Sequence, residues 1–201
     1  MLREHGATII KDSRGFIEPG QVREIIDAAP NQRDRLLVEL LWFTGCRISE
    51  AVDRRHGTRP KDLECAPEPV VIMRTLKRAR APPSRRVPVP RIFIERLGEF
   101  AKDTDPDQRI FPLSRQRAAQ LIVRAGKLAG ITRVGDKPFH PHVLRHSHSI
   151  AYIRADSTME GLRKLQIRLG HTSIGTTGCY LNFSQKGEAK KIEEIFGREY
   201  S

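Results

Sequence analysis

The sequence predicts a mainly α domain of the α+β class with one small antiparallel sheet, and three observations carry that expectation. Apolar residues recur at helical spacing through most of the chain. Between Glu68 and Glu95 the pattern changes to short runs of branched residues around a proline-rich turn. The chain has 201 residues and neither an internal repeat nor a low-complexity tract, so it suits one domain with a tail. A chain of this size hides roughly 70% of its unfolded surface on folding, enough for a real core.

The elements follow in order. The first sixteen residues have weak periodicity and read as an arm. Glu18 to Ala29 places Val22, Ile25, Ile26 and Ala29 on one helical face, with Pro19 in the first turn where a helix tolerates it. Pro30-Asn31 breaks the pattern. Arg33 to Phe43 carries Leu36, Leu37, Leu40 and Leu41, and Thr44-Gly45 ends it. Ile48 to Val52 is a short helix after a turn. Val70 to Met73 and Arg86 to Val89 read as two strands, the second near an edge because of Pro88. Ala81-Pro82-Pro83-Ser84 is the turn between them, and Asp62-Leu63-Glu64 is a third short strand.

The chain then returns to helices. Arg91 to Lys102 is one. Ser114 caps the next, whose predicted face is Ala118, Leu121, Ile122, Ala125 and Leu128, with Gly130 as the stop. Val143 to Arg154 is entered from Pro141, and Tyr152 reads as core within it. Glu160 to Leu169 carries Leu162, Leu165 and Leu169 and closes at Gly170. Thr172 to Tyr180 is short, and Lys186 to Phe196 is a final amphipathic helix.

The chain is strongly basic, with net charge +12 and pI about 10.2. Such a balance points to a polyanionic partner, either nucleic acid or an anionic membrane surface. The charge is also clustered: no acidic residue falls between Glu68 and Glu95, while Arg74, Lys77, Arg78, Arg80, Arg85, Arg86 and Arg91 do. A merely solvated surface intersperses both signs. No apolar run approaches the ~20 residues of a membrane span, and the start lacks a secretory pattern. Three separated cysteines without a CxxC pair argue against a disulfide framework and for a reducing cytosol.

Four clusters carry candidate chemistry: Thr44-Gly45-Cys46-Arg47-Ile48-Ser49-Glu50; Lys77 in the basic hairpin; Pro141-His142-Val143-Leu144-Arg145-His146; and Leu169-Gly170-His171, followed nine residues later by Tyr180. A guanidinium at Arg47 can donate two parallel hydrogen bonds to phosphate oxygens. His142 and Arg145 are three apart and share a helix face. Two arginines, histidines and a lysine suit a phosphoryl site that needs no metal. Such a set lacks only a nucleophile, and tyrosine can form covalent intermediates. His142 and His146 stand at i, i+4, but no HExxH pattern or cysteine at ligand spacing supports zinc.

The segments TGCRISEA (44–51), HPHVLRHSHS (140–149) and LGHTSIGTTGCY (169–180) resemble the three signature boxes of the tyrosine recombinase (phage integrase) family. The lysine hairpin sits where that family keeps its own, and the resemblance covers about residues 17 to 185. It implies a helical catalytic domain with a small antiparallel sheet. It implies that Tyr180 attacks the scissile phosphate, forming a 3′-phosphotyrosyl link and freeing a 5′-hydroxyl. Arg47 and Arg145 clamp the phosphate, Lys77 protonates the leaving oxygen, His142 transfers a proton, and His171 hydrogen-bonds the phosphate. Glu50 orients Arg47 or a histidine, and His146 supports the site. Arginine is a poor general acid because its pKa exceeds about 12; this favours Lys77 over its neighbours Arg78 and Arg80.

The resulting expectation is a site-specific recombinase, of the integration, excision or dimer-resolution type, acting without metal, ATP or other cofactor. Its partner is double-stranded DNA, contacted also by Arg74, Arg78, Arg80, Arg85 and Arg86. It is expected to be a monomer in solution, to self-associate on DNA as a tetrameric synapse, and to be cytoplasmic and nucleoid-associated, with no membrane contact. The expected organisation is an arm (1–16), a catalytic domain (17–185) and a C-terminal helix or tail (186–201) docking in trans, without a separate N-terminal core-binding domain. Two alternatives stand beside it: a non-catalytic DNA-binding protein on the same scaffold, and a type IB topoisomerase-like relaxing enzyme.

Overall fold

The computed structural model of the chain describes residues 15–76 and 83–183. Two compact units are present, one running to His148 and one starting at Ser149, with the division inside a helix. Residues 1–14 of the predicted arm, Lys77, Arg78 and Arg80, the first two residues of the predicted turn and the C-terminal helix lie outside the described residues; Phe16, the last residue of the predicted arm, is buried.

The first unit opens with α1 (Pro19–Ala28) and α2 (Gln32–Thr44). Pro19 supplies the preset φ that a first helical turn accepts, and Glu18 N–H donates to Gln21 Oε1 at 3.0 Å. Asn31, the breaker between the two helices, is the N-cap of α2 and accepts from Asp34 N–H at 3.0 Å. The buried faces of α1 and α2 hold Val22, Ile25, Leu36, Leu37, Leu40 and Leu41. Each such side chain contributes about 1.5–3 kcal/mol on leaving water. The helix α3 (Ile48–Val52) follows one turn later.

A three-stranded antiparallel sheet comes next, in the order β1 (Leu63–Glu64), β2 (Val70–Arg74), β3 (Ser84–Pro88). Val71 pairs with Leu63 on one side and Val87 on the other. Three boundaries differ from the sequence expectation. Asp62 ends a 3-10 helix (Pro60–Asp62) and is not in a strand; its carboxylate accepts from Arg59 N–H and from the Arg74 fork. Ser84 opens β3, paired with Arg74, and is not in the turn. Val89 lies past the end of β3. The early start of β3 follows from alternation: Arg85 and Val87 face inward while Ser84, Arg86 and Pro88 face out.

Helices α4 (Arg91–Ala101) and α5 (Arg115–Leu128) pack on this core. Ser114 caps α5 by accepting from Arg117 N–H at 3.1 Å. Leu128, predicted to be on the buried face, is 57% exposed. The buried stripe ends at Ala125 and Gly126 instead, because Gly126 lets the Phe139 ring approach: a Cβ there would meet it at 2.4 Å. A small hairpin, β4 (Arg133–Val134) and β5 (Lys137–Pro138), turns through Gly135 at φ 57. Its strands of two residues are too short for a periodicity to register.

Helix α6 (Pro141–Ala155) crosses the boundary between units. In the second unit, α7 (Met159–Leu169) is capped by Thr158, which accepts from Gly161 N–H at 3.0 Å. It buries Leu162, Leu165 and Leu169 and ends at left-handed Gly170. Helix α8 (Gly175–Gly178) and a 3-10 turn (Cys179–Phe183) complete the described chain. Tyr152, expected in the core, is half-buried, with the Arg168 guanidinium 5.7 Å from its ring centre. Its phenol favours an edge where the ring can also take a cation. No helix among the described residues is long and apolar enough to cross a membrane.

Candidate active site

The site in the first unit is built on the turn that ends α2. Gly45 takes φ 62, a left-handed conformation that carries little cost only for glycine. Its N–H donates to Leu41 O at 3.0 Å. Thr44 Oγ1 donates to Leu40 O at 2.5 Å and accepts from Cys46 N–H at 3.2 Å. The chain thereby leaves α2 and delivers Arg47 to the N-cap position of α3.

Glu50, 1% exposed, is the hub of this turn. Its Oε2 accepts from Arg47 N–H at 3.1 Å, and its Oε1 from Arg47 Nη1 at 3.1 Å. Its Oε2 also accepts from Arg85 Nη2 at 2.7 Å. Arg145, on α6, reaches the same turn: its Nη1 donates to Gly45 O at 2.7 Å. The structure therefore gathers three guanidinium groups and one carboxylate around residues 45–50. Burial and the charges of Arg47 and Arg85 pull the Arg145 pKa down to about 10, against the opposing pull of Glu50. Cys46, buried in the same turn, is held as a thiol with its pKa pushed up to about 12 by burial and by Glu50.

His142 stands at the edge of this cluster. Partial burial, then Arg145, His140, Arg47 and His146, hold its pKa below the ordinary histidine value. His146 is half-buried and shifted the same way by burial. A cleft of about 390 Å³ opens here, lined by Arg47, His142, His140 and Arg115 among others. Neutral imidazole beside guanidinium is the state that can accept a proton. His142 and His146 lie at zinc-ligand spacing, but no group of three or more His, Cys, Asp or Glu able to hold a metal ion occurs among the described residues.

The second unit presents His171 and Tyr180. Gly170, at φ 65, turns the chain out of α7. His171 N–H donates to Gln166 O at 3.0 Å, and Gln166 Nε2 returns a bond to His171 O at 3.3 Å. His171 Nδ1 lies 2.9 Å from Oγ1 of buried Thr177, so the ring's orientation is fixed from behind. Tyr180 is buried in the 3-10 turn that follows α8.

The basic hairpin residues divide. Lys77, Arg78 and Arg80 lie outside the described residues. Arg86 is exposed and pairs with Glu64. Arg74 grips Asp62 through two bonds of 2.7 Å, which pushes its pKa up further. Arg85, expected on the DNA-contacting face, is turned inward and 8% exposed, bonded to Glu50 and to Thr75 Oγ1. Sequence reading missed Arg85 as a partner of Glu50, though its two-residue spacing from Val87 carried that signal. It also missed Arg115 in the cleft, for which the sequence offered no motif.

Residues 15–186 match the phage integrase family. The chain belongs to the phage integrase family. Among curated members, it is 31% identical to the tyrosine recombinase XerD of Corynebacterium glutamicum, over 88% of this chain and 58% of that protein. It is 29% identical to tyrosine recombinase XerC of Xanthomonas axonopodis pv. citri, over 86% of this chain and 54% of that protein. The chain thus spans under two thirds of the length of these relatives. Among solved structures, XerA recombinase superposes with TM-score 0.69 at 23% identity, covering 90% of this chain and 63% of that one. A lambda integrase dimer bound to a COC′ core site superposes with TM-score 0.62 at 19% identity, covering 85% and 49%. These likenesses establish the phage integrase fold for the mainly α domain with its small sheet.

Proposed function

We propose that this phage integrase family chain is the catalytic part of a site-specific DNA recombinase that breaks and rejoins DNA through Tyr180. The observation that carries the reading is the turn 45–50, on which Arg47 and Arg145 are both anchored, Arg47 through Glu50 and Arg145 through Gly45 O, with burial and then neighbouring guanidinium charge holding the Arg145 pKa down to about 10. A cluster with that field suits a phosphodiester whose non-bridging oxygens gain charge in the transition state. Membership of a family of tyrosine recombinases supports the same reading.

The roles follow from chemistry. Tyr180 attacks phosphorus, its phenolic oxygen forms the new P–O bond, and the 5′-oxygen of the next nucleotide leaves. Arg47 and Arg145 hold the two non-bridging oxygens. His142, neutral at physiological pH, accepts the tyrosine proton. Lys77 donates a proton to the departing oxygen, and His171, oriented by Thr177, donates a hydrogen bond to the phosphate. The phosphotyrosyl ester conserves the energy of the broken bond, so rejoining to a different 5′-hydroxyl needs no ATP. Glu50 holds Arg47 in place.

The partner is double-stranded DNA, and exchange between two duplexes requires several copies assembled on it, monomers before binding. The solved XerH site-specific recombinase bound to palindromic difH substrate and the lambda integrase tetramer bound to a Holliday junction are the precedents for this part of the reading. The catalytic segment spans residues 17–185, in a cytoplasmic, nucleoid-associated protein. The test is a nicked duplex selected from a randomised pool, incubated with protein and chelator and run on a denaturing gel. A covalent protein–DNA adduct that disappears with Tyr180→Phe is the expected result. DNA binding with no adduct would overturn it in favour of a non-catalytic DNA-binding protein.

A further inference from the structure

We infer that Arg85 is a positioning residue for the phosphate clamp: it acts on Arg47 through the shared carboxylate of Glu50, not by contacting DNA. The inference rests on the recombinase reading above. Three features of the structure carry it. Arg85 is buried on the inward face of β3, although six of its basic neighbours in sequence mark this stretch as a DNA-facing surface. Its two terminal nitrogens are committed to different elements, Nη2 to Glu50 Oε2 at 2.7 Å and Nη1 to Thr75 Oγ1 at 2.8 Å. Glu50 in turn spends its other oxygen on Arg47 Nη1, and Oε2 also accepts from Arg47 N–H.

The geometry forms one chain of bonds: Thr75, Arg85, Glu50, Arg47. A lone carboxylate at the base of a five-residue helix can rotate about its own torsions. With Arg85 fixed to β3 and to Thr75, the plane of the Glu50 carboxylate is set from behind, and with it the direction in which Arg47 points. Thr75 itself is tied across the hairpin by its N–H to Pro83 O at 2.9 Å. The sheet thereby supplies a rigid reference for the clamp. Arg85 also lowers the pKa of Arg145, so the same side chain shapes both halves of the phosphate site.

Positioning and mere structural support are separable with a neutral substrate. A methylphosphonate at the scissile position lacks one non-bridging oxygen and its charge, so it needs the clamp much less. Adduct formation is measured in single turnover on the nicked duplex, with phosphodiester or methylphosphonate, for wild type, Arg47→Ala, Arg85→Gln and Thr75→Val. Arg85→Gln is expected to slow the phosphodiester by roughly 10²-fold, the size of a misplacement of about 1 Å. The methylphosphonate should be cleaved near the wild-type rate. Thr75→Val should show a smaller loss with the same relief, and it decides the matter if Arg85→Gln does not fold. Arg85→Gln placed in a Glu50→Gln background should add little, since both act through one link.

Equal loss on both substrates would make Arg85 a structural residue and overturn the inference. So would a full Arg85→Gln effect in the Glu50→Gln background, which would mean that it acts on the phosphate directly. If wild type forms no adduct, or if Arg47→Ala is not relieved on the methylphosphonate, the recombinase reading itself is wrong and the inference falls with it.

Discussion

Replacing Glu50 by glutamine keeps its shape and removes its charge. The carboxylate is 1% exposed and accepts three bonds, two from Arg47 and one from Arg85. Glutamine retains one acceptor oxygen and turns an amide NH₂ toward guanidinium donors. Breaking a buried pair by removing one partner costs about 3–5 kcal/mol, because the remaining charge stays buried. Arg85 remains 6% exposed by side chain, but Arg47 is 23% exposed and regains water. The lower end, about 3 kcal/mol, is therefore expected. For a domain of this length that lowers Tm by about 6–12 °C, read by circular dichroism on a thermal ramp. Adding Arg85→Met should recover part of the loss, since an apolar replacement removes the stranded charge. A Tm within about 2 °C of wild type, below the shift expected from 1 kcal/mol, would refute the view of Glu50 as the hub that compensates these arginines.

Other expectations concern the supports of the site. Gly126→Ala places a Cβ 2.4 Å from Cδ1 of Phe139 and 3.0 Å from Ile131 O. Overpacking of this kind costs about 1–3 kcal/mol, against a helix-propensity gain of about 1 kcal/mol. Because Phe139 leads into α6, adduct formation should fall more than stability alone explains; comparison of the adduct rate with the folded fraction checks this. The pKa values of His142 and His146 are both depressed, chiefly by burial. The unfolded chain then takes up protons first, so stability should be level above the ordinary histidine value of 6.5 and fall as pH drops below it. Thermal midpoints across a pH series should show this fall, and His146→Gln should flatten part of it.

The helices were legible because their buried faces repeat at 3.6 residues, and because Ser114 and Gly130 mark where α5 starts and stops. The turn 44–50 was legible through its place in an ordered set of segments that resembles the family's boxes, since an arginine after a glycine turn is by itself an ordinary surface charge; the left-handed φ of Gly45 came only with the structure. Charge hid the rest. Arg85 and Arg74 look like surface cations in the sequence, yet each is claimed by a carboxylate, Glu50 and Asp62, that is distant along the chain. The same effect displaced the start of β3, because a buried arginine does not register as an inward-facing strand residue. Leu128 failed for the opposite reason: helical spacing identifies a face, but Gly126 and Phe139 decide where the covered stripe ends. Arg115 entered the cleft through tertiary packing alone, with no local pattern to announce it.

The most direct test of the central claim is to locate the covalent bond. The protein–DNA adduct is digested with protease and nuclease, and the nucleotide-bearing peptide is sequenced by tandem mass spectrometry. The expected product is a 3′-nucleotide joined to Tyr180, with a free 5′-hydroxyl on the released strand. A nucleotide on any other residue, or a 5′-phosphate linkage, would contradict it.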